Sequence, residues 1–150
     1  MKKLSIQPED AIKMKQIVIL IVTSVVFIGC AALTKGKGAG ESAVKRFHEQ
    51  LNAEQYDEIY AQADGKFRGA VKEADSKALF EAIHRKLGNV KNSTLSSWHV
   101  NATTGGAFVT LSYNTEFTEG GGDEKFDFLI SGDRASLINY NINSPLLITK

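Results

Sequence analysis

Three histidines, one inward-facing tyrosine and a single thiol are the residues whose chemistry reaches beyond packing. His48 and His84 fall in helical patterns, and neither has a second ligand four residues on, so the spacing of a metal pair is missing. His99 alternates out of phase with Trp98 and Val100 and is expected to face outward. Each reads as a surface or satisfied histidine. Tyr113 shares strand parity with Val109 and Leu111 and is chemically able to donate a proton. A core tyrosine with its hydroxyl at the edge fits the same pattern. Glu116 and Asp127 have the opposite parity from the apolar residues and are expected to face water. No nucleophile elbow, phosphate loop or HExxH occurs. Gly120-Gly121-Gly122 is followed by acids rather than Lys-Ser/Thr and reads as a flexible hairpin tip. No catalytic, cofactor-binding or metal residues are therefore expected, and no cofactor.

The thiol is a different matter. Cys30 is the sole cysteine of 150 residues, so no internal disulfide forms and this is not a disulfide scaffold. It stands near the end of an uncharged apolar run, Ile17 to Leu33, preceded by Lys13 and Lys15 and followed by Lys35 and Lys37. Seventeen residues are few for a spanning helix, which needs about 20. They suit the core of a signal peptide behind a positive leader. Phe27-Ile28-Gly29-Cys30 resembles a bacterial lipobox, with phenylalanine where leucine is usual. That resemblance implies lipidation of the Cys30 thiol, with diacylglyceryl and palmitate as the expected chains, and cleavage before it. The alternative is an uncleaved membrane anchor. Either way the chain after about residue 34 is expected on the extracytoplasmic side, since the lysines before the run favour a cytoplasmic N-terminus. Ala31 follows Cys30 where an aspartate would signal inner-membrane retention, so by resemblance the outer membrane is the expected address in a Gram-negative cell. Met14 directly precedes Lys15 and the run, and a start there would also give a compact signal.

The expected organisation is residues 1–33 as signal peptide or anchor, 34–40 (TKGKGAG) as a flexible tether, and 41–150 as one exported domain. Setting aside the four lysines and two acids before the apolar run, 14 cations face 15 anions. That balance excludes the basic stripe nucleic-acid binding needs. A hydrophobic content of 43% argues against disorder.

Helices must come first in this domain. Val44, Phe47 and Leu51 have helical spacing, with Ser42 as the expected N-cap. Tyr56, Ile59, Tyr60 and Ala63 continue a stripe over 55–64, Asp64-Gly65 reads as a stop, and Phe67 falls in a loop or a short turn and plugs the core. Asp75 or Ser76 caps a third helix carrying Leu79, Phe80, Ile83 and Leu87, with Arg85 and Lys86 in its last turn and Gly88 ending it. After Asn89 the period becomes 2. Four strands are expected: Trp98, Val100 and Ala102; Val109 to Phe117; Phe126, Phe128 and Ile130; and Ile138, Tyr140 and Ile142. Turns separate them at Thr103 to Gly106, Glu119 to Asp123 and Gly132-Asp133. Helices followed by closely spaced strands give an α+β fold, with N-terminal helices packed on a four-stranded antiparallel meander.

This order is similar to the cystatin-like or NTF2-like roll. The text from Phe47 to Tyr60 (FHEQLNAEQYDEIY), Phe67-Arg68, Leu87-Gly88 and the closing Tyr140 to Pro145 (YNINSP) resembles bacterial domains of unknown function of the DUF4019 and DUF3887 kind. The resemblance spans about residues 41 to 145 and implies small lipoproteins or secreted modules with no assigned reaction. In that bacterial setting the glycosylation patterns at Asn92 and Asn101 carry little weight. The expected function is a non-catalytic binding or scaffold module at the cell envelope. Its partners would be the membrane, through the N-terminal lipid or helix, and an envelope protein or an apolar molecule. Enzymes of NTF2-like kind place polar groups in the cone between sheet and helices. The alternative is therefore a small enzyme or apolar-ligand carrier using that cone and Tyr113, which a cone packed with Phe47, Phe80, Trp98 and Phe128 would oppose. A homodimer through the open sheet face, which carries Phe108, Thr110 and Ser112, is a third alternative.

Overall fold

A computed structural model describes residues 36–103 and 106–148, so Cys30 and the apolar run lie outside the described residues. Helix α1 runs over residues 36–52. Next come α2 (Tyr56–Gln62), α3 (Gly65–Ala70) and α4 (Glu73–Leu87). The strands β1 (Val90–Thr103), β2 (Gly106–Phe117), β3 (Gly121–Ser131) and β4 (Arg134–Asn143) follow, and a short α5 (Pro145–Ile148) closes the described chain. The four strands pair antiparallel in the order β1-β2-β3-β4. The expected α+β meander is what forms.

Helix α1 begins earlier than its apolar spacing indicates. Residues 36–40, expected as tether, are helical. Gly36 and Gly40 lie four apart on the face that carries Val44, and both back onto the sheet. A Cβ on Gly40 would stand 2.9 Å from Leu111 Cδ1, and one on Gly36 would stand 3.4 Å from Val109 Cγ2. The glycines let the helix backbone lie directly on β2 rather than loosening the chain. Ser42 is consequently inside the helix, its hydroxyl donating to the Gly38 carbonyl, and caps nothing.

The helix over 55–64 does stop before Asp64-Gly65, α2 ending at Gln62, and Asp64 then starts the next helix. Its side chain accepts from the Lys66 amide and caps α3, so Phe67 plugs the core from a helix. Helix α4 starts at Glu73, which places Ser76 inside the buried stripe with Phe80, Ile83 and Leu87 and leaves Leu79 exposed. The Ser76 hydroxyl has no hydrogen-bond partner. Gly88 ends the helix at φ 75°, as expected.

Two sheet details differ from simple alternation. A bulge between Asp127 and Phe128 brings Leu137 opposite Phe128 and Asn139 opposite Asp127. Ile138 is the extra residue, and Leu137 takes its expected place in the core, beside Tyr140. Gly121 and Gly122 belong to β3, where the Gly121 carbonyl accepts from Ser144 Oγ and Gly122 packs on Ile142. The turn is thus confined to Thr118–Gly120, and the Phe117 amide closes it by donating to the Gly120 carbonyl. The glycine run is a tied-down strand start rather than a flexible tip.

The core is aromatic and lies between α1, α4 and β2 to β4. Phe47, Phe80, Phe126, Phe128 and Tyr140 form a chain of ring contacts with centroids 4.9–6.0 Å apart. Strand β1 overhangs this layer. Trp98 pairs with Leu111 on the inward face yet is 49% exposed, so it lies beside the core and not in it. The opposite face of the sheet is polar: Thr110 Oγ1 and Asn139 Nδ2 both donate to Asp127, and His99 is exposed there opposite Thr110.

Candidate functional site

Glu124 stands two residues before Phe126, so strand parity turns its side chain inward with Phe126 and Phe128. It is 1% exposed. Three donors reach it from three other elements. Tyr140 OH on β4 donates to Oε1 at 2.7 Å, and Thr115 Oγ1 on β2 donates to Oε2 at 2.5 Å. His48 Nε2 on α1 lies 2.7 Å from the same Oε2. With both hydroxyls donating, a hydrogen on His48 Nε2 directed at Oε2 satisfies every contact.

The local sequence explains each placement. His48 follows Phe47 on the buried face of α1, four residues after Val44. Thr115 extends the inward series Val109, Leu111 and Tyr113. Tyr140 reaches the interior because the bulge at Ile138 resets the parity of β4. Around the polar centre, Phe126 lies edge-on to His48 at 5.8 Å, and Phe47 at 6.0 Å. Burial, with the Glu124 charge and hydrogen bond, holds the Tyr140 hydroxyl well above its ordinary pKa. Tyr113, cross-strand from Glu124, is pushed up to about 12, chiefly by burial and then by Glu41 and Glu124. Both stay neutral hydroxyls through the ordinary pH range.

Histidine, carboxylate and tyrosine are the residue types of general acid–base catalysis, which also requires a substrate within hydrogen-bond reach. A cavity of about 30 Å³, room for on the order of one water, lies among Phe47, Gln50, Ile59, Phe128, Ala135 and Leu137. An open groove of about 350 Å³ runs along Asn114, Thr115, Gly121 to Asp123, Asn143 and Pro145. Neither His48 nor Glu124 lines either space. As it stands, the cluster ties α1 to three strands.

Of the residues weighed in the sequence, His48 proves a satisfied buried histidine. His84 Nε2 lies 2.9 Å from Asn89 Oδ1, at the end of α4. Tyr113 is in the core beside Glu124, whereas Glu116 is exposed and Asp127 lies in the polar ladder. Glu124 and Thr115 were missed. Parity with Phe126 is the signal in the sequence that turns Glu124 inward, where Glu116 and Asp127 have the opposite parity. Among the described residues no group of histidine, cysteine and carboxylate side chains could hold a metal, and no helix is long and apolar enough to cross a membrane. The lipidation site, Cys30, lies outside the described residues. No protein-family model and no curated protein matches the sequence.

Proposed function

We propose that this chain is an envelope lipoprotein, anchored through Cys30, whose roll of the cystatin-like or NTF2-like kind binds or scaffolds a partner without catalysing a reaction. The observation that carries this reading is the filled interior. The space where an NTF2-like enzyme would hold its substrate is occupied by Phe47, Phe80, Phe126, Phe128 and Tyr140. The one strongly polar inward cluster has its hydrogen bonds satisfied within the protein. A buried and satisfied polar cluster specifies packing, which leaves recognition to the surface. Among the described residues strand β1 is an edge of the sheet, and the sheet's outer face is polar; both suit an envelope protein partner or a second copy of the chain. The alternative of a small enzyme draws support from His48, Glu124 and Tyr140 as acid–base residue types, and it requires a route from solvent to Glu124.

The test is the intact mass of membrane-extracted protein, wild type and Cys30→Ser. The expected wild-type mass is that of a chain beginning at Cys30 plus lipid, absent from the variant. An unmodified, full-length mass in both would overturn the anchor assignment.

A further inference from the structure

The small cavity beside Phe47 is partly open to solvent, and its walls come from α1, α2, β3 and β4. Helical spacing puts Ala43, Arg46, Phe47 and Gln50 on one stripe of α1, facing Ile59, Gln62 and Ala63 at the end of α2. Ala43, Ala63 and Ala135 are each 5% exposed, and their short side chains leave the hollow. The bulge at Ile138 brings Leu137 to its lining. The Asp64 amide donates to the Leu137 carbonyl at 2.8 Å, which fixes the end of α2 against β4. The walls are therefore set before anything enters.

Two polar groups of this lining lack partners. Gln50 is only 8% exposed, yet its side-chain amide makes no hydrogen bond among the described residues. Buried polar groups are nearly always paired, so this amide calls for a partner from outside the chain. Arg46, one turn back on the same stripe, is exposed and has neither an ion pair nor a hydrogen bond among the described residues. It is the sole charged residue of the lining, which contains no acid. We propose that the cavity binds a small organic carboxylate, two or three carbons long. Its alkyl end would sit among the alanines and its carboxylate across Arg46 and Gln50. A guanidinium fork and an amide NH₂ both donate, as a carboxylate requires. A cation finds no anion here. Inorganic phosphate also pairs with arginine, but it brings no carbon to bury against Phe128 and Leu137. A space of about 30 Å³ takes a methyl-sized group and no ring. The site is separate from the His48–Glu124 cluster and does not depend on an anchor at Cys30.

The full chain, nitrogen-15-labelled and held in detergent micelles, is titrated with sodium propanoate at fixed ionic strength. Nuclear magnetic resonance follows the Gln50 NH₂ pair and the Arg46 Nε–H. Both signals are expected to shift and to saturate, with a dissociation constant on the order of millimolar, as suits a ligand of few atoms. Arg46→Gln, at an exposed position, should weaken binding by about tenfold or more, because it removes the charge-assisted hydrogen bonds. Gln50→Glu keeps the volume and sets a carboxylate of the chain's own beside Arg46, so propanoate should no longer shift the Arg46 signal. Propylammonium should move neither signal. Shifts that never saturate, or that Arg46→Gln leaves intact, overturn the proposal and leave water as the occupant of the cavity. An equal response to propylammonium or to inorganic phosphate overturns the assignment of a carboxylate with a buried alkyl group. Each of these outcomes is independent of the mass measurement on Cys30→Ser.

Discussion

Replacing His48 with leucine isolates what the buried cluster contributes. Glu124 would keep Thr115 and Tyr140 as donors and lose its one basic contact, at a site 1% exposed. Removing one partner of a buried hydrogen bond so that the other is left unsatisfied costs about 1–3 kcal/mol, more where a charge is involved. A domain of this size holds about 5–15 kcal/mol in all, so His48→Leu should lose a large share of the stability. Glu124→Leu strands a histidine nitrogen and two hydroxyls, each buried unsatisfied group costing about 1–3 kcal/mol, although both hydroxyls are free to rotate toward other acceptors. The informative protein is the double variant His48→Leu/Glu124→Leu, because replacing a buried pair with apolar residues of similar volume is often close to neutral. The double should therefore be more stable than the two single losses added together, with a coupling of about 2 kcal/mol or more, within the range seen for residues in direct contact. Urea unfolding of the unit Lys35–Lys150, followed by circular dichroism, measures all four corners of the cycle. Losses that simply add would refute the reasoning, since they would mean that the 2.7 Å contact carries no energy of its own.

Further outcomes are expected from the glycines of α1 and from the buried tyrosines. Within α1, Gly38→Ala should stabilise by about 0.5–1 kcal/mol, because a Cβ there meets nothing and alanine is the better helix former. Gly40→Ala should destabilise by about 1 kcal/mol, because its Cβ would press on the fully buried Leu111; unfolding midpoints that move the same way for both would count against the glycine contact. Stability should fall as pH rises above 10. Tyr140 and Tyr113 are raised in the fold, so the native state keeps protons that the unfolded chain releases above pH 10; their contribution is complete below that pH and is lost as pH climbs through the folded values, about 12 for Tyr113. Tyr140 alone supplies a slope of up to about 1.4 kcal/mol per pH unit, and thermal unfolding at pH 9 and 11 should show a smaller drop for Tyr140→Phe than for wild type.

The elements legible in the sequence were those whose apolar period matched one face without interruption. The strand from Val109 to Phe117 and the helix around Phe80, Ile83 and Leu87 are of this kind. Features set by an extra residue or by close approach were not. The bulge at Ile138 exchanges Ile138 for Leu137 without disturbing the apolar composition of β4, so a strict alternation still fits it. Gly36 and Gly40 look like linker composition, because contact with Leu111 and Val109 is invisible before the sheet exists. Trp98 has inward parity, as its alternation indicates, and is nevertheless 49% exposed, because β1 lies beside the core. Parity fixes which face a side chain takes and leaves open whether anything covers that face.

Glu124 illustrates the opposite limit. Its parity was readable, but an acid in phase with Phe126 makes sense only with donors, and these come from residues 76 positions back, 9 back and 16 ahead. No local window contains them. Their convergence has a consequence for how the roll is held together. Helix α1 meets the sheet through backbone contact at its glycine end and through a buried hydrogen bond at its His48 end. The glycine end tolerates no added volume, and the His48 end tolerates no lost partner. A helix fixed at both ends keeps its first turn, and with it Lys37, in a constant position beside Trp98. The buried cluster therefore acts at a distance on the Lys37–Trp98 contact: loosening His48 from Glu124 should free α1 to shift and the indole to change its surroundings, a change that Trp98 fluorescence of His48→Leu would show and an unchanged emission would refute.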